Sequence, residues 1–185
     1  MVFSSAIFLF VFLPIVVSVN LVLRKKAQNL FLLAVSLLFY AWGEGLLVLL
    51  MLLSISINYI VGILLGHGLK KQERKFLKPI LTIGIVLNLS LLIYYKYAHF
   101  IVQSLSELGF NMTFNTSGIV LPIGISFFTF QGLSYLIDVY REQVPYQKSP
   151  FKLGLYIALF PQLIAGPIIR YSDVNDQIEN RERNQ

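Results

Sequence analysis

The stretch NLFLLAVSLLFYAWGEGLLVLLMLLSISINYIVGILL, Asn29–Leu65, decides the fold. It carries a single charged residue, Glu44, held between Gly43 and Gly45. Read as one α-helix it would be about 55 Å long, nearly twice the ~30 Å hydrocarbon core of a bilayer. The glycines therefore predict a turn between two membrane helices, Asn29–Trp42 and Leu46–Leu65. The first is short, and calls for little tilt or a thinned bilayer. Tyr40 and Trp42 suit the membrane–water interface at its end.

Outward from this pair, the same logic holds in both directions. Phe3–Leu23 is free of charge and is followed by Arg24, Lys25 and Lys26. It does not read as a cleaved signal peptide, because Met1–Ser5 has no basic residue and no small-x-small site follows. Positive charge behind the first span predicts a cytoplasmic end there and an external N-terminus. The loop with Lys70, Lys71, Arg74, Lys75 and Lys78 against Glu73 is the strongest inside signal. Pro79–Tyr95 then crosses outward to the aromatic belt of Tyr94, Tyr95 and Tyr97. Residues 96–117 read as a polar external segment, Gly118–Ile137 as the return, and Asp138, Arg141 and Glu142 as its exit. Ser149-Pro150 is a helix start, with Ser as N-cap and Pro at N1. Leu153–Ile169 holds Pro161, Gly166 and Pro167, which predicts a broken or re-entrant helix. The expected fold is all-α: a polytopic helical membrane protein with about six hydrophobic segments, the last one or two broken. Residues 1–170 form one transmembrane unit, and 171–185 a polar tail that reads as truncated.

Composition agrees. The chain is 56% hydrophobic and only 13% charged, with mean hydropathy +0.71, whereas a soluble domain is roughly 25% charged. Net charge is +6, from 15 Lys+Arg and 9 Asp+Glu. The basic residues sit in short loops between apolar runs, so topology and anionic lipid head groups account for them without a nucleic acid. The absence of cysteine excludes disulfides and thiolate chemistry. The sequence holds no metal-ligand cluster and no phosphate loop. A transporter or a scaffold subunit is the alternative class, but a transporter would favour internal repeats and midplane charges, and neither is visible.

Gly62-x-x-x-Gly66 and Gly84-x-x-x-Asn88 put small or polar residues one turn apart, the pattern of close helix approach in lipid. Ser54 and Asn58 share a face and are expected to hydrogen-bond a neighbouring helix. Leu121–Arg141 is richer: Ser126, Thr129, Gln131, Ser134 and Tyr135 lie at membrane depth, and Pro122 and Gly124 open the backbone. Such backbone is tolerated where protein or a water-filled cavity satisfies it. A lined cavity and plain interhelical hydrogen bonding both fit. Phe160–Arg170 is a second broken stretch, with Gln162 and Arg170 as candidate liners, or Arg170 as an interfacial anchor. His67 and His99 have no carboxylate at an orienting spacing. Gly124-x-Ser126 begins a nucleophile elbow, but Phe128 occupies the second glycine position. Asn111-x-Thr113 and Asn115-x-Ser117 match glycosylation sequons, a short pattern for which chance matches are common.

Leu121–Arg141 followed by Leu155–Tyr171 resembles the membrane-bound O-acyltransferase family, in its alginate O-acetylase branch. Phe39–Glu44, Ser54–Tyr59 and Tyr94–Ala98 are similar to the same branch, in the same order. The resemblance implies a helical protein of the bacterial inner membrane that surrounds a tunnel and moves an acetyl or other acyl group onto hydroxyls of an exopolysaccharide such as alginate. Peptidoglycan, teichoic acid or another envelope polymer is the alternative acceptor. It further implies soluble or periplasmic acetylation partners, a polysaccharide acceptor, and a catalytic histidine in a C-terminal half beyond residue 185. Neither His67 nor His99 lies in the matching motif, so this chain is expected to be inactive alone. The resemblance supplies no resident cofactor and leaves the acyl donor unnamed. Ser126, Gln131, Tyr135, Gln162 and Arg170 become candidate cavity residues, with Pro122, Gly124, Pro161, Gly166 and Pro167 shaping the backbone.

Overall fold

A computed structural model of the chain describes residues 6–108, 116, 118–165 and 169–179. Helices carry the described residues, without a strand. A π-helical turn, Phe8–Phe12, leads into α1 (Leu13–Val22). There follow α2 (Lys25–Glu44), α3 (Val48–Lys70), α4 (Arg74–Leu92), α5 (Ala98–Glu107), α6 (Ile125–Tyr140), α7 (Pro150–Ala158), α8 (Phe160–Ala165) and α9 (Tyr171–Glu179). The stretches Ala27–Lys70 and Arg74–Glu107 are long and apolar enough to cross a membrane, and Phe8–Val22 is a shorter apolar helix.

The chain turns back at Gly45, which adopts φ +59. Leu33 and Ile55 both lie against Gly154 of α7. On a straight helix they would stand about 33 Å apart. The predicted turn is therefore present, but its first helix is longer than the sequence suggested. It has 20 residues, Lys25–Glu44, about 30 Å and enough to span hydrocarbon without thinning. The apolar pattern set the earlier boundary at Asn29, whereas the helix extends through Lys25–Gln28.

The centre is a three-helix packing of α3, α4 and α6, with α7 wedged against α2 and α3. Small residues set the approach. A Cβ at Gly62 would meet the Tyr135 ring, one at Gly84 would meet Val61 and Leu136, and one at Gly132 would meet the Asn58 amide. Lipid tails are as apolar as leucine, so close packing and interhelical hydrogen bonds drive association here. Asn58 Nδ2 donates to Asn88 Oδ1 and Asn88 Nδ2 to Asn58 Oδ1, each at 3.0 Å. The expectation for Asn58 thus holds, with Asn88 as its partner. Ser54 adds its backbone carbonyl, 2.8 Å from Asn58 Nδ2. Outward, large apolar side chains stay uncovered, among them Phe10 (79% exposed), Trp42 (76%) and Val22 (87%). They form the surface a hydrocarbon solvent would face.

Two further corrections concern α4 and α6. The segment expected to leave the membrane at Tyr95 continues as a π-helical turn, Ile93–Tyr97, into α5 and ends at Glu107. Polar side chains on α5 misled the reading, since a helix extending past the bilayer needs no apolar face. The return helix is shorter than Gly118–Ile137, because residues 118–124 are irregular and α6 begins at Ile125. Pro150 occupies N1 of α7 as expected, although the Ser149 side chain makes no capping bond. The predicted break in the last segment falls at Leu159 (φ −58, ψ 114). The N–H of Phe160 donates to Ser36 Oγ at 3.3 Å, and the Phe160 ring joins Phe8, Phe12 and Phe39 at centroid distances of 5.6–6.0 Å. Gly166, Pro167, Asn111, Asn115 and the end of the polar tail lie outside the described residues.

Candidate functional site

The site is built around the opening of α6. Gly124 takes a left-handed conformation, φ +78, which favours glycine. The backbone just before it would carry unpaired polar groups in an apolar setting, at several kcal/mol each. Residues from the end of α2 meet that demand. Tyr40 Oη donates to the Ile123 carbonyl at 3.0 Å, and the Ile123 N–H donates to Glu44 Oε2 at 3.1 Å. Tyr40 does not face the surface; it is buried, and its hydroxyl serves this carbonyl. Glu44, the lone charge of the Asn29–Leu65 run, was read only as part of a turn. Its solitude in an apolar stretch was the signal that it has a partner.

Two residues into α6, Ser126 Oγ accepts a hydrogen bond from Lys96 Nζ at 3.1 Å. Lys96 belongs to the π-helical turn, and its ammonium also lies 5.5 Å from the Tyr97 ring centre. π-Turns inside helices frequently mark functional positions. Nearby in sequence, His99 Nδ1 lies 2.8 Å from Thr116 Oγ1. Tyr40, Glu44, Lys96 and Ser126 thus converge at one end of the bundle.

The buried face of α6 continues as a polar column at helical spacing, Gln131, Tyr135 and Asp138. Gln131 Oε1 and Asp138 Oδ2 have no hydrogen-bond partner among the described residues. Tyr135 Oη accepts the Gln147 N–H at 3.0 Å. Its ring meets Tyr171 edge-on at 4.9 Å, and Tyr171 meets Tyr156 likewise at 5.1 Å. Gln147 Nε2 donates to Tyr171 Oη at 2.9 Å, and Tyr156 Oη donates to the Ile169 carbonyl at 2.9 Å. Asp138 was expected to mark a solvated exit. It is buried instead, covered by α9, with the charges of Arg170 and Arg141 acting on it. A buried carboxylate requires such compensation.

The five candidate liners do not form one cluster. Ser126 sits at the opening of α6, while Gln131 and Tyr135 share its buried face. Gln162 is buried on α8, with Nε2 unpaired among the described residues, and Arg170 is exposed beside Asp138. Both histidines are exposed; His67 Nδ1 donates to the Ile63 carbonyl at 2.9 Å and its ring lies 5.6 Å from Tyr146. Sequence reading missed Glu44, Lys96, Asp138, Gln147 and Tyr171 as parts of these networks, since each depends on a partner at least 30 residues away or on a loop folding back.

Comparison with known proteins decides the relationship. The chain is 40% identical over 185 residues to the probable alginate O-acetylase AlgI of Pseudomonas aeruginosa, a match covering 98% of this chain and 35% of that protein. The chain is related to the alginate O-acetylases. The Azotobacter vinelandii protein of the same name is also 40% identical, over 98% of this chain and 36% of its own length. The peptidoglycan O-acetyltransferase of Helicobacter pylori is 30% identical over 210 residues, covering 98% of this chain and 39% of that protein. The resemblance drawn from the sequence motifs therefore holds. The chain spans little more than a third of the length of these alginate O-acetylase relatives. No family model and no solved structure matches it.

Proposed function

We propose that this chain is part of a membrane O-acyltransferase that places acetyl groups on hydroxyls of an exopolysaccharide of the alginate kind. The carrying observation is the 40% identity to alginate O-acetylases across 98% of the chain. The 30% identity to a peptidoglycan O-acetyltransferase supports acyl transfer as the reaction and leaves a peptidoglycan-type polymer as the second acceptor.

Ester transfer requires a base for the incoming hydroxyl and stabilisation of the developing oxyanion. In this reading the chain supplies shape and polarity, not the base. Tyr40 and Glu44 hold the α6 opening, Lys96 and Ser126 present polar groups there, and the Gln131–Tyr135–Asp138 column gives the interior its polar face. Gln162 and Arg170 are weaker candidates for the same lining. The base is a histidine of a C-terminal segment, and residues 1–185 alone do not transfer acetyl groups.

The protein is a multi-pass component of the bacterial inner membrane, with the lysine-rich α3–α4 loop cytoplasmic and the N-terminus outside. Acetylation partners on the far side receive or direct the acyl group. The test is polymer acetylation in a strain lacking its own acetylase. Restored ester content from a longer protein carrying this segment supports the reading; restoration by residues 1–185 alone overturns the inactive-alone reading. Ester appearing on cell-wall peptidoglycan instead selects the second acceptor.

A further inference from the structure

The end of the bundle opposite the α6 opening gathers basic residues from two distant segments. The turn between α3 and α4 exposes Lys70, Lys71, Arg74, Lys75 and Lys78. The connection between α6 and α7 folds back against that turn. Tyr146 packs where a Cβ at Gly66 would be, and Lys70 Nζ lies 5.2 Å from its ring centre. Tyr59 Oη donates to the Lys148 carbonyl at 2.9 Å, and Arg74 pairs with Glu142 at 3.6 Å. Exposed Arg141, next to Glu142, thereby joins the same surface. The turns are fixed by matching helix caps. Gln72 and Glu142 both adopt left-handed conformations, φ +58 and +60. Behind them, the Glu73 N–H donates to the Gly68 carbonyl at 3.1 Å and the Gln143 N–H to the Asp138 carbonyl at 3.0 Å. Exposed acids on these segments are Glu73 and Glu142, and the latter is engaged by Arg74.

We infer that this face is a binding site for the anionic head groups of phospholipids in the adjoining leaflet. Exposed Phe76, 55% accessible, stands among these basic residues at the start of α4. Basic side chains beside an exposed aromatic match the chemistry of the interface, phosphate above and acyl chain below. The site sits at the end of helices long enough to span the bilayer, so leaflet phosphates are within reach once the chain is embedded. An acidic soluble protein would use the charges but leave Phe76 without a role. The inference needs this end to face a leaflet and is independent of the acyl-transfer reading.

The test is native mass spectrometry of the detergent-purified chain titrated with phosphatidylglycerol or phosphatidylcholine. Retention of phosphatidylglycerol about tenfold over phosphatidylcholine, weakening between low and high salt, is expected, since each basic residue near an anionic surface contributes about a fivefold factor. Lys71→Gln alone lowers phosphatidylglycerol retention by roughly fivefold, and Lys71→Gln with Lys75→Gln by more. Equal retention of the two lipids, or no effect of Lys71→Gln with Lys75→Gln while the melting temperature is unchanged, overturns the inference. If a variant melts early, the salt dependence of the unaltered chain decides, and its absence also overturns it. Glycerol phosphate displacing the lipid at equal concentration would assign the site to free phosphate. Binding of polyglutamate without phosphatidylglycerol would assign it to an acidic protein. Either outcome refutes the lipid site.

Discussion

Asn58 on α3 and Asn88 on α4 bind each other reciprocally, amide to amide, at 3.0 Å in both directions. Each amide also donates one turn back along its own helix, to the carbonyls of Ser54 and Gly84 at 2.8 and 2.9 Å. The pair fills its donor capacity within the protein, and Gly132 of α6 leaves the space it occupies. Asn58→Leu strands the Asn88 amide and is expected to cost about 1–2 kcal/mol. The double change with Asn88→Leu should recover part of that loss. Steric-trap or denaturant unfolding in bilayer mimics measures it, and additivity of the two single effects would contradict the pairing.

Glycine substitutions should separate by what they meet. A Cβ at Gly66 would enter the Tyr146 ring, so Gly66→Ala must lift the α6–α7 connection and is expected to destabilise by about 1–3 kcal/mol. Tyr146→Ala in the same chain should relieve most of the strain. Gly43→Ala meets nothing within 4 Å in the last turn of α2, and should be neutral or stabilise by up to ~1 kcal/mol. Melting temperatures of the three variants give the order, and a Gly66→Ala chain as stable as Gly43→Ala would refute the contact.

The opening of α6 depends on its clamp. Tyr40→Phe removes one hydrogen bond to Ile123 and should cost about 0.5–1.5 kcal/mol. Gly124→Ala forces φ +78 on a residue with a Cβ and should cost about 1–2 kcal/mol. The two act on the same backbone, so their combined effect should fall short of the sum. If the longer protein is the acyltransferase proposed above, both should lower acetylation more than protein level. Normal acetylation by the double variant would remove the opening from the functional site.

The lack of cysteine makes labelling clean. Single cysteines replacing Lys71 and Lys148 should react with an impermeant maleimide from one face of sealed vesicles, and cysteines replacing Leu46 and Val120 from the other. Lys71 and Lys148 reporting from opposite faces would break the topology.

Hydropathy along the chain settled that this protein is helical, that apolar solvent surrounds it, and that it turns at Gly43–Gly45 and breaks near Pro161. Those properties follow from transfer free energy and backbone stereochemistry, which act residue by residue and can be read in order. Tertiary structure alone chose Asn88 for Asn58, brought Ile123 to Tyr40 and Glu44, buried Asp138 near Arg170, and paired Glu142 with Arg74. Such pairings depend on the rotation and register of one helix against another. Those are fixed by side-chain packing between segments far apart in the chain, and leave no periodic trace in either segment.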